Sequence, residues 1–111
     1  LELADQLASR TLAGIGKHAF ASVHAARARE AGFEDSHTEM AEKHYREAVE
    51  LLRSVGNRTK LGRCLSDYGD FLIDGGEEVR GKQKLERARE IFERLEIRKL
   101  REATEKAIHG I

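Results

Sequence analysis

Apolar residues along this chain recur every three or four positions and nowhere alternate with polar ones for long, so helices are expected throughout. A first stripe runs through Leu3, Leu7 and Leu12 and closes at Ile15-Gly16. A second takes Phe20, Val23, Ala26 and Ala31 up to Gly32-Phe33, and a third takes Ala41, Tyr45, Ala48, Leu51 and Leu52. The fourth, Leu61, Leu65, Tyr68 and Leu72, keeps the i, i+4, i+7, i+11 spacing of one helix face. Leu85, Ala88, Ile91, Phe92 and Leu95 give a fifth, and Leu100, Ala103, Ala107 and Ile108 a weaker sixth. Glycines punctuate the stripes at Gly14 and Gly16, Gly32, Gly56, Gly75 and Gly76, and Gly110. The pattern predicts six helices, roughly 2–14, 18–32, 37–55, 58–74, 77–95 and 98–109.

Several boundaries carry a mechanism. Ser36-His37-Thr38-Glu39 fits a capping box, in which hydroxyl and carboxylate satisfy the first free N–H groups. Gly56 after Val55 suits a left-handed C-terminal cap, and Glu77 with Glu78 places negative charge at a helix start. Connections this short make successive helices antiparallel neighbours.

A shift of 40 residues aligns Ala8, Ala48 and Ala88, then Leu12, Leu52 and Phe92, then Ile15, Val55 and Leu95; it also sets Ala25 over Leu65 and Ala41 over Gly81. The match is one of residue class, with small residues where paired helices cross and larger ones around them, as stacked hairpins require. The alternatives are a plain antiparallel bundle or a charged coiled coil over 77–109; Gly81 and the 40-residue echo argue against the coiled coil, which prefers sustained heptads.

The segment Leu65-x-x-Tyr68-Gly69-x-x-Leu72, followed by Gly81, Leu85 and Ala88, resembles a tetratricopeptide repeat. The resemblance is good across 58–95 and partial across 18–55, where Arg29 stands for a small residue and Gly32 for a large one. The 40-residue period, with Val55-Gly56-Asn57-Arg58 between units, is similar to a longer variant found in large bacterial signalling and transcription-regulating proteins. It implies an all-α chain of about six helices: antiparallel hairpins stacked as a short right-handed solenoid. Residues 18–55 and 58–95 would be whole repeats, with half-repeats at 1–15 and 98–109. In that family the first helix of each unit lines a concave groove. Matching positions are Arg63, Ser66, Asp70, Ile73 and Asp74, and in the weaker unit Val23, Ala26, Glu30 and Phe33. Members that grip a C-terminal carboxylate use Lys and Asn where this chain has Ser66 and Asp70, or Ala26 and Glu30. A basic or amphipathic partner segment suits such a groove better.

The 111 residues are enough for one domain, and the first of them is Leu1, as in a section of a longer protein. Twenty basic and twenty acidic side chains cancel, which removes the basic footprint of a general nucleic-acid binder. The longest apolar run is three residues, so neither a membrane span nor a signal segment is expected. One cysteine, Cys64, excludes an internal disulfide, suits a reducing cytoplasm, and reads as a small buried residue rather than a nucleophile. Charge is uneven: residues 59–78 carry two basic and five acidic side chains, and residues 79–106 carry ten basic and six acidic.

Chemistry-bearing patterns are few. His18, His24, His37, His44 and His109 never take the i, i+4 spacing of two ligands on one helix, so they read as surface imidazoles. Gly14-Ile15-Gly16-Lys17 lacks the rest of a phosphate loop and reads as a helix end. The expectation is a non-catalytic protein-interaction scaffold without metal or cofactor, cytoplasmic, binding neither membrane nor nucleic acid. Two alternatives stand beside it: a sensory groove for a small effector, and self-association through apolar stripes exposed at the ends of the stack.

Overall fold

Residues 2–109 are described by a computed structural model, the side chains of Ile108 and His109 excepted. The expectations for Leu1, for Gly110 as a terminator and for the Ile108 and His109 side chains lie outside the described residues.

Left-handed glycines decide where the helices stop. Gly32, Gly56 and Gly76 have φ of 68°, 71° and 91°, a region open to glycine at little cost. After each, the next residue's N–H reaches five residues back: Phe33 to Ala28 O (2.8 Å), Asn57 to Leu52 O (3.1 Å) and Glu77 to Leu72 O (2.8 Å). The same Schellman closure thus ends three helices in succession. The elements are α1 (Leu3–Glu30), α2 (Ser36–Ser54), α3 (Arg58–Asp74) and α4 (Glu78–His109).

The described residues are all-α, but they form four helices instead of about six. Gly14 and Gly16 lie inside α1, and nothing interrupts α4 between 95 and 98. Glycine permits a left-handed residue without compelling one, and two glycines in a 28-residue helix weaken it by only about 1 kcal/mol each. Gly14 has a reason to stay helical: a Cβ there would sit 2.9 Å from Leu52, so its bareness lets α1 approach α2. The expected half-repeats at 1–15 and 98–109 are therefore the outer ends of α1 and α4. The capping box is also displaced. Asp35 is the N-cap of α2, its carboxylate accepting from His37 N at 3.0 Å, and Ser36 is already helical. Asn57 caps α3 by accepting from Lys60 N at 3.2 Å.

Partner pairs give the topology. Gly14 meets Leu52 and Lys17 meets Glu47, so α1 and α2 are antiparallel; Gly62 meets Phe92 and Gly69 meets Leu85, so α3 and α4 are too. Two hairpins join chiefly through α2 and α3, where Tyr45 and Tyr68 stack at 5.2 Å between ring centroids and Tyr45 meets Phe71 at 5.8 Å. Helix α3 is the central element, burying Leu61, Gly62, Cys64, Leu65, Tyr68, Gly69, Phe71 and Leu72. Ala48 and Ala88 are buried as expected of close crossings, and Gly69 and Gly81 touch backbone to backbone.

The inner face of α1 is not the predicted stripe. Phe20, Val23 and Ala26 are exposed; the buried residues are Gly14, Ala21, Ala25 and Ala28. Small side chains bring α1 close to α2, and a search for large apolar residues selects the opposite face. The repeat also has two offsets. Ala41 and Gly81 are both buried, as a 40-residue shift requires, yet Gly32 and Gly76, which end α1 and α3 alike, stand 44 residues apart. Four residues are about one helical turn, so the mismatch leaves the periodicity intact while moving each side chain a turn along α1.

Candidate functional site

Helices α1 and α3 run parallel and lie beside one another, leaving a cleft of about 220 Å³ lined by Ser22, Arg29, Tyr45, Asp67 and Asp70. Its walls come from helical spacing. His18, Ser22, Ala25 and Arg29 share one edge of α1, and Asp67, Asp70 and Asp74 share the facing edge of α3. Two polar contacts cross the cleft: a hydrogen bond between His18 Nε2 and Asp67 Oδ2 at 2.6 Å, and an ion pair from Arg29 Nε to Asp74 Oδ2 at 2.9 Å. Arg29 also stands 5.8 Å over the Phe71 ring, a cation–π geometry. Asp70 is exposed and has no ion-pair partner among the described residues. Beneath the cleft, burial raises the pKa of the Tyr45 hydroxyl, and burial followed by the nearby Asp67 charge pushes the Cys64 thiol up to about 12. A protonated, buried Cys64 is inert.

The nine residues expected to share a groove are dispersed. Asp70 lines the cleft and Asp74 closes its end through Arg29. Arg63 is exposed on α3. Ser66 turns toward α4, beside Leu85, Ala88 and Phe92, and Ile73 presses against Gly81 of α4. Val23 and Ala26 are exposed on the outer side of α1, and Glu30 borders a separate hollow with Arg27, Asp35 and His37. Phe33, with a φ of 63°, packs on Phe71 and Gly75 and serves the join between hairpins. A 44-residue shift sets Ser22 and Arg29, which line the cleft, over Ser66 and Ile73, which face α4, so neither offset carries the cleft edge of α3 onto α1.

Two clusters are absent from the sequence reading because their members lie far apart in the chain. Glu42, Tyr68 and Arg80 tie α2, α3 and α4 together. Arg80 donates to Glu42, the Tyr68 hydroxyl donates to the same oxygen at 3.2 Å, and Arg80 reaches the Tyr68 oxygen at 3.4 Å. Desolvation alone would raise the Glu42 pKa, but the Arg80 hydrogen bond and charge outweigh it and hold the carboxyl below its ordinary value. Burial, then the Glu42 charge, pushes Tyr68 up to about 12. In the second cluster, His24 Nδ1 and His37 Nδ1 are 2.8 Å apart, and His24 stacks on His44 at 5.7 Å between centroids. Desolvation and then His37, His44 and Arg27 lower the His24 pKa. These three histidines are not the isolated surface imidazoles that spacing suggested. Among the described residues, no group of three or more His, Cys, Asp or Glu has the geometry to hold a metal ion. None of the described helices is long and apolar enough to cross a membrane.

Comparison with known proteins supplies no identification: no protein-family model, curated protein or solved structure matches the chain.

Proposed function

We propose that this chain is a non-catalytic protein-interaction module, a short tetratricopeptide-like section whose α1–α3 cleft takes a basic side chain from a partner segment. The observation that carries the reading is Asp70, an exposed carboxylate without an ion-pair partner among the described residues, at the mouth of a cleft floored by Tyr45. The close Gly69–Gly81 crossing supports the tetratricopeptide-like part, because it lies where that family keeps small residues. Pockets for whole small molecules run to about 300–1,000 Å³, so a cleft of 220 Å³ suits one inserted side chain better than a complete effector. A cytoplasmic role in bacterial signalling or transcription control belongs to the same proposal and rests on the sequence resemblance.

Selection from a random peptide library on the immobilised chain tests it. Enriched peptides should carry Lys or Arg at a fixed position and bind less tightly as salt rises. Asp70→Lys should abolish their binding and leave helicity unchanged. Peptides without a basic consensus, or peptides indifferent to Asp70→Lys, would overturn the assignment of the cleft. Asp74 is a poor probe, because replacing it also frees Arg29.

A further inference from the structure

On the side away from that cleft, four arginines from three helices converge. Arg53 at the end of α2, Arg58 at the start of α3, and Arg87 and Arg94 one above the other on α4 line a recess of about 150 Å³ with Leu61, Glu90 and Ile91. Arg53 is paired with Glu50 at 3.2 Å; Arg58, Arg87 and Arg94 have no ion-pair partner within 4.0 Å among the described residues. Glu90 is the one carboxylate in the lining. The positive field extends up the same face. Desolvation and then the charges of Arg80, Arg87 and Arg53 hold the Lys84 ammonium below its ordinary pKa. In a chain whose formal charge is zero, so many cations drawn together is a local choice of the fold.

We propose that this recess binds a single tetrahedral oxyanion of the phosphate class. Guanidinium groups pair with phosphate oxygens through two parallel hydrogen bonds, and several around one centre surround an anion from different sides. A recess of 150 Å³ is half the smallest volume usual for a small-molecule pocket. It therefore takes one phosphate group, free or displayed on a larger molecule, whose remainder stays outside. The first turn of α3 lies at the recess and adds its positive dipole end.

The test is titration of the whole chain with inorganic phosphate, followed by amide chemical shifts. Saturable shifts are expected at Arg53, Arg58, Arg87 and Arg94, with affinity falling about tenfold or more in Arg87→Ala and in Arg58→Ala. Arg101→Ala, on the far part of α4, should bind as the parent does. Thermal melts of each variant separate loss of the site from loss of the fold. A phosphoserine peptide that binds more tightly than free phosphate assigns a displayed group; equal affinity assigns the free oxyanion. Non-saturating shifts, shifts spread evenly over the basic surface of α4, or equal affinity in Arg87→Ala and the parent would each overturn the proposal.

Discussion

A methyl group at position 81 tests the geometry of the α3–α4 crossing. Built on Gly81, a Cβ would lie 2.5 Å from Ile73 Cγ1, 2.7 Å from the Gly69 carbonyl oxygen and 3.0 Å from Ile73 N. Two of the three neighbours are backbone, so no rotamer relieves the clash. Ordinary contact begins near 3.4 Å, so α4 must retreat from α3 by roughly 0.7 Å along that line. Overpacking of this kind costs about 1–3 kcal/mol. The same substitution brings a helix-propensity gain of about 1 kcal/mol, which blurs the result if Gly81→Ala is measured alone. Gly16→Ala is the reference, since Gly16 is helical and a Cβ there meets nothing within 4 Å. Gly16→Ala should stabilise the chain by up to about 1 kcal/mol. The difference between the two variants then isolates the crossing, at about 1–3 kcal/mol. Urea denaturation followed by circular dichroism reads it, with an unchanged slope showing that the denatured ensemble is the same. Equal shifts of the midpoint in the two variants would refute the close crossing.

Other expectations follow from single features. Ala88→Leu should destabilise by about 1–3 kcal/mol in the same urea assay, because Ala88 is 2% exposed. Acid should weaken the fold in two stages: His24 has a folded pKa below its ordinary 6.5, so stability falls as pH drops from there, and Glu42 gives a second loss as pH passes below 4.5. Melting temperature against pH checks this, and a first stage that persists in His24→Gln would be evidence against the histidine cluster. Cys64 should resist alkylation in the native chain and react at once in denaturant, as mass spectrometry of the two samples would show. Arg29→Ala should cost at most about 1 kcal/mol despite its two partners, since the ion pair is solvent-exposed; a larger drop in melting midpoint would mean that the pair holds the hairpins together.

What could be read in the sequence depended on whether the deciding interaction was local. Gly56 was legible as a left-handed cap because the turn itself demands glycine, and Ala48, Gly81 and Ala88 were legible because small residues recur where helices cross. Gly14 and Gly16 misled, since whether such a glycine bends the chain is decided by Leu52 across the hairpin. The inner edge of α1 was hidden because alanine and glycine carry little hydrophobic signal, though they bury completely. The candidate site was less legible than the fold. A groove carried over by a fixed shift missed the edge of α1 that faces α3, and the partners of Asp67 and Asp74 lie 49 and 45 residues away. The arginine recess and the histidine trio each offer a sequence only one i, i+7 pair, Arg87 with Arg94 and His37 with His44; their other members come from different helices.

The unequal lengths of the hairpin arms set up a lever. Gly14 faces Leu52 near the end of α2, and Phe92 faces Gly62 near the start of α3. The first part of α1 and the last part of α4 therefore overhang in the same direction, and the longer overhang reaches about 20 Å at 1.5 Å per residue. They belong to different hairpins, which meet through the modest α2–α3 seam. Any rocking at that seam is magnified at the two tips, as the handles of a pair of tongs report a small turn at the pivot. Spin labels at Leu7 and Leu100, which are 38% and 62% exposed, would turn even a slight tilt between Tyr45 and Tyr68 into a readable change of separation.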